Sequence, residues 1–391
     1  MLPASVSSRK ALWVALVVLL VTLISFVRQT NNLLATRQTF SAPLEHVIAK
    51  NNVTAADTTD NLKLVWLLSF PNSGTSYTML LVERASQLST VTHHGKEVAT
   101  PQGTSIPMFN DTVQGGPYWE GLVNAKGTVR PLPPPGGYAL TKTHCGSRCA
   151  NCGLDTYQTT LERFTRDCQK TTGRWPRPDG SLELVTSYVP LSMVAKLVWL
   201  MRNPMENVVS RYHLERRNWL RKAAKDASLT PLVEQFHPNA TGFQNWCRYL
   251  DATYESDASL ASRLWPVDWE LWSSVPCRGE FYRWTQWHNL VGQMVQITLQ
   301  DRPLLHWYYE DYAATNETAA VDMFLHYLQQ TRTGPIKKFR TPMPVYRLTH
   351  YSTRERSKIW QLLERLATNQ TFRLLGRYYD EHLFEDDVSG E

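Results

Sequence analysis

Three apolar runs, each followed by a polar turn and then a helical pattern, dominate the hydrophobic pattern of this chain. They are Leu62 to Phe70 (LKLVWLLSF), Lys196 to Met201 (KLVWLM) and Pro303 to Tyr309 (PLLHWYY), and Tyr138 to Thr141 (YALT) is a shorter fourth run. The first run has no polar alternation, which is typical of a parallel strand covered on both faces. The pattern predicts an α/β fold in which a parallel sheet is flanked by helices.

The turn after the first run has the composition of an anion-binding loop. Pro71 ends the strand, and residues 72–76 (NSGTS) precede the next helix. Glycine permits a sharp turn, while hydroxyl groups and consecutive backbone N–H groups face whatever lies over the helix start. A phosphate group fits this arrangement, although the loop lacks the lysine of a Walker A motif. The alternative is an ordinary turn in which Ser73 and Thr75 only cap the helix.

Polar residues also follow the other predicted strands. Lys142 and His144 come after YALT, and residues two apart on an extended segment point to the same side. Arg202 ends the second strand, and Ser210 lies two turns into a helix predicted over residues 204–217. Because open α/β sheets bind ligands at the carboxyl ends of their strands, these side chains are candidates to contact one anion. Taken alone, a pair such as Lys142 and His144 more often has no functional role, and Arg202 and Ser210 are equally typical of an arginine that caps a sheet and a serine on an exposed helix face.

Length and composition indicate one large globular domain, predicted over residues 61–385. The chain has 391 residues, of which 42% are hydrophobic and 11% aromatic, enough to bury a full core. Val91 to Gly137, rich in glycine and proline, is predicted to be a long surface excursion from that core. The formal charge of +6, from 41 basic and 35 acidic residues, permits an anionic ligand and does not require nucleic acid as a partner.

The first 60 residues are predicted to lie outside that domain. Ala11 to Val27 is an uncharged apolar run of seventeen residues, which spans about 25 Å as a helix. A cleaved signal peptide is the alternative, but the run is long for one and no clear small-residue cleavage site follows it. We therefore predict a single-pass type II membrane protein with residues 1–10 in the cytoplasm, a signal anchor at 11–27 and a stem at 28–60.

Glycosylation sequons and cysteines indicate a secretory compartment. Five Asn-x-Ser/Thr sequons lie beyond the apolar run, at Asn52, Asn110, Asn239, Asn316 and Asn369. The six cysteines are Cys145, Cys149, Cys152, Cys168, Cys247 and Cys277. The C-x3-C-x2-C spacing is also compatible with zinc, but an even number of cysteines in an oxidising compartment favours disulfides. Cys247 and Cys277 are the predicted distal pair, and the pairing of the other four stays open.

Taken in order, these segments resemble the sulfotransferases that use 3′-phosphoadenosine 5′-phosphosulfate (PAPS). FPNSGTSYT is similar to the 5′-phosphosulfate loop Y-P-K-S-G-T-T-W of cytosolic members, and TKTH is similar to their K-T-H segment. KLVWLMRNPMENVVSRY is similar to their 3′-phosphate motif, and Phe281 to Tyr312 is similar to the helix, strand and Y-E-D turn near adenine. The resemblance covers roughly Leu62 to Gln330 and implies the sulfotransferase fold, with a P-loop-like parallel sheet.

The resemblance implies roles for the matching residues. PAPS would be bound by Asn72, Ser73, Gly74, Thr75, Ser76, Tyr77, Arg202, Ser210, Tyr309 and Arg340. The loop would hold the 5′-phosphosulfate, while Arg202 and Ser210 would hold the 3′-phosphate. Tyr77 would stack on adenine, and Tyr309 would close that pocket.

Two further roles and two departures concern the transferred group. His144 would be the general base, and Lys142 would stabilise charge on the sulfuryl group, with no metal ion. Asn72 replaces the lysine or arginine of the family loop, so Lys142 or a basic residue nearer the C-terminus must neutralise the bridging oxygen, or the enzyme is slow or inactive. The segment GPIKKFRTP, with Arg340, replaces the R-K-G-x-x-G motif of cytosolic members. A solvated basic loop is the alternative for that segment.

The function that the resemblance implies is transfer of a sulfuryl group from PAPS to a hydroxyl of a carbohydrate acceptor in the Golgi lumen. Protein tyrosine or a lipid is the alternative acceptor. A catalytically inactive, membrane-tethered protein that binds a nucleotide or a glycan is the alternative from another class. The basic segment Asn218 to Asp226 is either a contact for an acidic glycan or a solvated helix face. The sequence does not indicate the acceptor's identity or the oligomeric state.

Overall fold

The computed structural model describes residues 63–93, 136–147, 154–176, 181–255, 268–312, 317–336 and 345–383, together with short stretches between 97 and 134. The predicted anchor, the predicted stem and Arg340 lie outside the described residues. None of the helices in the described ranges is both long enough and apolar enough to cross a membrane.

The described elements are numbered here in chain order. The strands are β1 Lys63–Ser69, β2 Val91–Thr92, β3 Glu97–Val98, β4 Ser105–Ile106, β5 Phe109–Asn110, β6 Tyr118–Trp119, β7 Tyr138–Thr143, β8 Lys170–Pro176, β9 Leu182–Tyr188, β10 Val194–Met201 and β11 Leu304–Tyr308. The α-helices are α1 Thr75–Ser86, α2 Leu161–Gln169, α3 Pro204–Ala223, α4 Thr230–Glu234, α5 Ala240–Glu255, α6 Trp269–Ser274, α7 Arg278–Ile297, α8 Glu317–Tyr327, α9 Tyr346–His350, α10 Thr353–Leu366 and α11 Asn369–Leu383. Short 3-10 helices cover Leu154–Tyr157, Leu191–Met193, Ala227–Leu229 and Tyr309–Tyr312.

The central sheet has five strands in the order β11, β10, β1, β7, β2, and all of its pairs are parallel. The predicted α/β fold with a parallel sheet flanked by helices is therefore confirmed, and the four predicted strands are β1, β7, β10 and β11. β1 lies in the middle, with strands that follow it in sequence on both sides. Such a change of direction in the strand order leaves a crevice at the carboxyl ends of the strands, where open α/β sheets bind ligands.

β1 is buried on both faces, as its continuous apolar sequence predicts. Leu64, Trp66 and Leu68 belong to one core cluster, whereas Val65 and Leu67 belong to a second cluster with residues of α1 and α8. Because successive side chains of a strand point to opposite faces, burial on both faces favours an apolar residue at every position. This two-sided core holds the end of β1 rigidly where the candidate loop begins.

The segment predicted to be a surface excursion starts inside the sheet instead. Val91 and Thr92 form the edge strand β2, and both side chains are buried, as is the side chain of His93. Burial lowers the pKa of His93 to about 4, so this ring is neutral at neutral pH. A strand of two residues is too short to show a hydrophobic period, which is why the sequence pattern missed it.

Two cysteine pairs are joined in the structure. Cys247 is bonded to Cys277, the predicted distal pair, and Cys145 is bonded to Cys168. The second bond links the residue that follows His144 to α2. No cysteine among the described residues is free.

We expect these four cysteines to resist alkylation in the native protein and to react only after reduction. The bond between Cys247 and Cys277 closes a loop with a sequence separation of 30 residues, and constraining a loop of that length stabilises a fold by about 3 to 4 kcal/mol. Reduction should therefore also lower the unfolding temperature. Mass spectrometry after alkylation, with and without reductant, measures the first effect. Native thiols that react freely at these positions would contradict the pairing.

Candidate functional site

The carboxyl ends of β1, β7 and β10 meet at one edge of the sheet. Thr143 of β7 is paired with Leu68 of β1, and Leu200 of β10 is paired with Ser69. The residues that follow these strands are therefore neighbours in space. They include the 72–76 loop and the candidate residues after β7 and β10.

The loop after β1 leaves the start of α1 without a side-chain cap. Gly74 is the N-cap residue, with a φ of 94°, and no described side chain caps the helix. Thr75 Oγ1 instead bonds Ser69 Oγ at 2.7 Å, and Ser73 Oγ accepts a hydrogen bond from Asn207 at 3.1 Å. The alternative in which Ser73 and Thr75 only cap the helix is therefore wrong. The first N–H groups of α1 are available to an anion.

Asn207 holds this loop from the neighbouring helix α3. Its Nδ2 donates to the Pro71 carbonyl at 3.0 Å and to Ser73 Oγ at 3.1 Å. Asn203, four residues earlier, caps α3 by accepting from the N–H groups of the first turn. Sequence reasoning missed Asn207; its spacing of four residues from Asn203, which places both on one helix face, was the available signal.

His144 is buried at the end of β7, next to the end of β1. Its Nδ1 donates to the Ser69 carbonyl at 2.6 Å, and the two residues are 75 positions apart in the sequence. The His144 carbonyl accepts from Trp287 Nε1 at 2.9 Å and from Ser147 Oγ at 2.6 Å. These bonds restrain both the backbone and the ring of His144. The tautomer with the proton on Nδ1 is inferred from this network.

Lys142 lies inside β7, opposite Leu67 of β1. Its side chain is only 4% exposed. Leu140, two residues earlier, belongs to the core cluster that contains residues of α1, and side chains two apart on a strand share a face. Lys142 is therefore a buried lysine on the face of the sheet that α1 covers.

Arg202 reaches from the end of β10 back to the loop. Its Nη1 donates to the Asn72 carbonyl at 2.8 Å, a contact between residues 130 positions apart. Its guanidinium also lies 4.6 Å from the centre of the Tyr309 ring. Asn72 itself has a φ of 67°, a left-handed conformation that asparagine adopts more readily than most residues. The side-chain Nδ2 of Asn72 is buried and has no hydrogen-bond partner in the described part of the chain.

Two carboxylates lie close enough to Arg202 to sense its charge. Glu310 accepts from the Asn203 N–H at 3.0 Å and from the Tyr378 hydroxyl at 2.8 Å. Glu206 accepts from two backbone N–H groups at the start of α9, at 3.0 and 3.1 Å. Burial raises the pKa of both carboxyl groups, although these hydrogen bonds and Arg202 oppose the shift. Groups other than Arg202 therefore hold the oxygens of both carboxylates.

Aromatic rings surround the start of α1. A methyl group added to Gly74 would lie 2.1 Å from Cδ2 of Tyr309, so the Tyr309 ring covers the loop and only glycine fits beneath it. The Tyr77 ring lies 6.3 Å from that of Tyr309 and 5.4 Å from that of Tyr312, measured between centroids. Tyr312 was not a predicted site residue. The structure thus brings the predicted site residues Tyr77 and Tyr309 together.

Two predicted site residues are not brought into the cluster by any described contact. Ser210 is half-buried on α3, and its side chain forms no hydrogen bond to a described residue. Arg340 lies outside the described residues. α3 itself is longer than predicted, ending at Ala223 and not at Arg217.

A buried ionic cluster lies behind the loop and was not predicted. Arg211, four residues after Asn207, lies over the Phe70 ring and bonds Glu280. Glu280 also accepts from Arg283 Nη1 at 2.8 Å. Burial alone would raise the pKa of Glu280, but the two guanidinium groups lower it to about 2. Glu280 is therefore a carboxylate of α7 that pairs with Arg283 of the same helix and, through Arg211, joins α7 to α3.

The fold and the site define an α/β protein whose candidate ligand site lies at the carboxyl ends of three central strands. No protein-family model matches the chain, and no curated protein matches it. Within the described ranges, no group of three or more His, Cys, Asp or Glu side chains is arranged to hold a metal ion.

Proposed function

We propose that this chain is a sulfotransferase that moves a sulfuryl group from PAPS to a hydroxyl group. The observation that supports this most directly is that Ser69 contacts both the start of α1 and the candidate base, His144. Ser69 Oγ bonds Thr75 Oγ1 at 2.7 Å and lies 3.4 Å from Nδ1 of His144. An uncapped helix start is suited to phosphate or sulfate groups, and an imidazole beside it is suited to accept a proton. Transfer of an anionic group to a hydroxyl needs both.

In the proposed reaction, the acceptor oxygen attacks the sulfur atom in line with the bridging oxygen of PAPS. The bond between sulfur and the bridging oxygen breaks, and its electron pair stays on the phosphate. A new bond forms between sulfur and the acceptor oxygen, while the hydroxyl proton passes to His144. The products are a sulfate ester and 3′-phosphoadenosine 5′-phosphate (PAP). The chain contributes positioning and charge neutralisation.

The hydrogen bonds of His144 support its role as the base. Since Nδ1 donates to the Ser69 carbonyl, the neutral ring carries its lone pair on Nε2. Nε2 is then the atom that would take the acceptor proton. The bonds from Trp287 and Ser147 to the His144 carbonyl hold the backbone of His144 in the position that this orientation of the ring requires.

Donor binding is assigned to the loop and its neighbours. The N–H groups at the start of α1 and the buried Nδ2 of Asn72 would donate to the phosphosulfate oxygens. Lys142 would stabilise negative charge on the sulfuryl group from the face of the sheet that α1 covers. Tyr77 and Tyr309 would enclose the adenine, which requires the Tyr309 ring to move off Gly74.

The class of acceptor and the compartment are those that the sequence resemblance implies, and they belong to the same proposal. We assign the acceptor hydroxyl to a carbohydrate, with protein tyrosine or a lipid as the alternative, and place the catalytic domain in the Golgi lumen behind a single N-terminal anchor. Arg217, Arg221 and Lys222 are exposed near the end of α3. This basic helix end is available to an acidic glycan.

The test is binding and transfer by the purified protein. PAP at 100 times its dissociation constant should stabilise the fold by about 2.7 kcal/mol, which thermal unfolding detects. Radiolabelled PAPS should then label a member of a panel that contains glycans, a tyrosine peptide and lipids. Stabilisation by PAP without any labelled product would favour the alternative that the protein binds a nucleotide and is catalytically inactive. That alternative is relevant because Asn72 replaces the cationic residue of the loop. Absence of both effects would reject the proposal.

A further inference from the structure

A positive charge lies beside the loop of residues 72–76, the candidate site for the donor, and it comes from Arg202 outside that loop. Asn72 occupies the loop position at which the sulfotransferases that this sequence resembles have lysine or arginine. Arg202, on the next strand, donates from Nη1 to the carbonyl of that same residue at 2.8 Å. The guanidinium therefore sits against the backbone of residue 72.

No carboxylate of the described residues bonds the guanidinium of Arg202, although two of them lie close enough to sense its charge. Arg202 forms no ion pair with a carboxylate of the described residues. Glu206 and Glu310 are the carboxylates that sense its charge, and backbone N–H groups and the Tyr378 hydroxyl bond their oxygens instead. A half-buried guanidinium whose N–H donors are not bonded to a described carboxylate is suited to bind an external anion.

The orientation of Arg202 is also restrained. Its guanidinium lies 4.6 Å from the centre of the Tyr309 ring, and the same ring lies directly against Gly74, the N-cap residue of α1. The Arg202 guanidinium and the start of α1 therefore border the same small space. Of the five N–H donors of an arginine side chain, the bond to Asn72 uses one and leaves others for a ligand.

We infer that Arg202 supplies the positive charge that residue 72 lacks, and that it binds the 5′-phosphosulfate end of the donor and not the 3′-phosphate. The inference rests on the proposed function, because it assigns one end of the proposed donor to one residue. It differs from the role that the sequence resemblance gives Arg202. Ser210 keeps its assignment to the 3′-phosphate and serves as the matched control.

The experiment compares two nucleotides that share a 5′-phosphate and differ in the 3′-phosphate. PAP and adenosine 5′-phosphate are titrated into wild type, Arg202→Gln and Ser210→Ala, with weak binding measured by competition. Arg202→Gln should weaken both nucleotides by a similar factor of about 10- to 100-fold, the usual loss for a hydrogen bond to a charged group. Ser210→Ala should weaken PAP and leave adenosine 5′-phosphate unchanged. Unfolding curves without nucleotide show whether each variant is folded.

A double variant tests directly whether a cation at residue 72 can replace the positive charge of Arg202. Adding Asn72→Lys to Arg202→Gln returns a cation to the loop and should recover at least half of the lost affinity, in logarithmic units, for both nucleotides. Lysine at the left-handed backbone of residue 72 costs about 1 kcal/mol of stability, which the unfolding curves report separately.

Three results would overturn the inference. One is a loss in Arg202→Gln that is confined to PAP, since this assigns Arg202 to the 3′-phosphate. Another is a double variant that binds no better than Arg202→Gln. The third is a folded wild type that binds neither nucleotide, and only this result rejects the proposed function as well.

Discussion

Replacement of His144 by alanine should reduce turnover by about 100-fold or more, the usual loss when a general base is removed. An alcohol is too weakly acidic to attack sulfur unaided at neutral pH, so its proton must be accepted as the new bond forms. PAP binding should stay nearly unchanged, because the N–H groups of α1 and Arg202 do not depend on the imidazole. Initial rates with radiolabelled PAPS and calorimetric titration with PAP measure the two effects separately.

The control for this variant is His326→Ala. His326 is exposed on α8, and its loss should change neither turnover nor binding. Thermal unfolding of His144→Ala shows how much the bond to the Ser69 carbonyl contributes to stability. A folded His144→Ala enzyme with wild-type turnover would remove His144 from the mechanism.

Replacement of Glu280 by glutamine should have the largest effect on stability, about 3 to 5 kcal/mol at neutral pH. Its carboxylate is the partner of both Arg211 and Arg283, whose side chains are only 11% and 3% exposed. Removing one partner of a buried ion pair leaves uncompensated charge in the interior, which costs about this much. Denaturant unfolding measures the difference in free energy.

The same variant should change how stability depends on pH. The folded pKa of Glu280 is about 2, below its ordinary value of 4.5. A group with a lowered folded pKa stabilises the fold above its unfolded pKa, and the stabilisation disappears as the pH falls through the folded pKa. Glu280 therefore contributes roughly 3 kcal/mol above pH 4.5 that is lost toward pH 2. Glu280→Gln should lack this part of the acid dependence.

The exposed pair between Arg332 and Asp322 provides the comparison. Its side chains are 42% and 43% exposed, and such pairs contribute between zero and about 1 kcal/mol. Asp322→Asn should therefore change stability little. Equal effects of Asp322→Asn and Glu280→Gln, or an unchanged acid dependence in Glu280→Gln, would contradict the buried network.

The sequence by itself determined four of the five strands of the central sheet, and the loop. A strand buried on both faces needs an apolar residue at every position, so β1, β10 and β11 are visible as apolar runs. A helix start that is open to an anion needs glycine and small polar residues in a row, so residues 72–76 are visible as well. Both are local requirements. The boundaries differ by a few residues, as for α3, because helix ends depend on neighbouring contacts as much as on the chain itself.

Only the tertiary structure decided which distant residues complete the site. Asn207 bonds Ser73 from 134 positions away, His144 bonds the Ser69 carbonyl from 75 positions away, and Arg202 bonds the Asn72 carbonyl from 130 positions away. The order of the strands in the sheet sets these contacts. Because parallel strands are joined by long crossover connections, residues that meet at the edge of the sheet have no regular spacing in the sequence. The buried Glu280 network and the bond between Cys145 and Cys168 depend in the same way on how helices pack around the sheet. Spacing along the chain therefore shows which residues have the chemistry for the site, and the packing decides which of them meet.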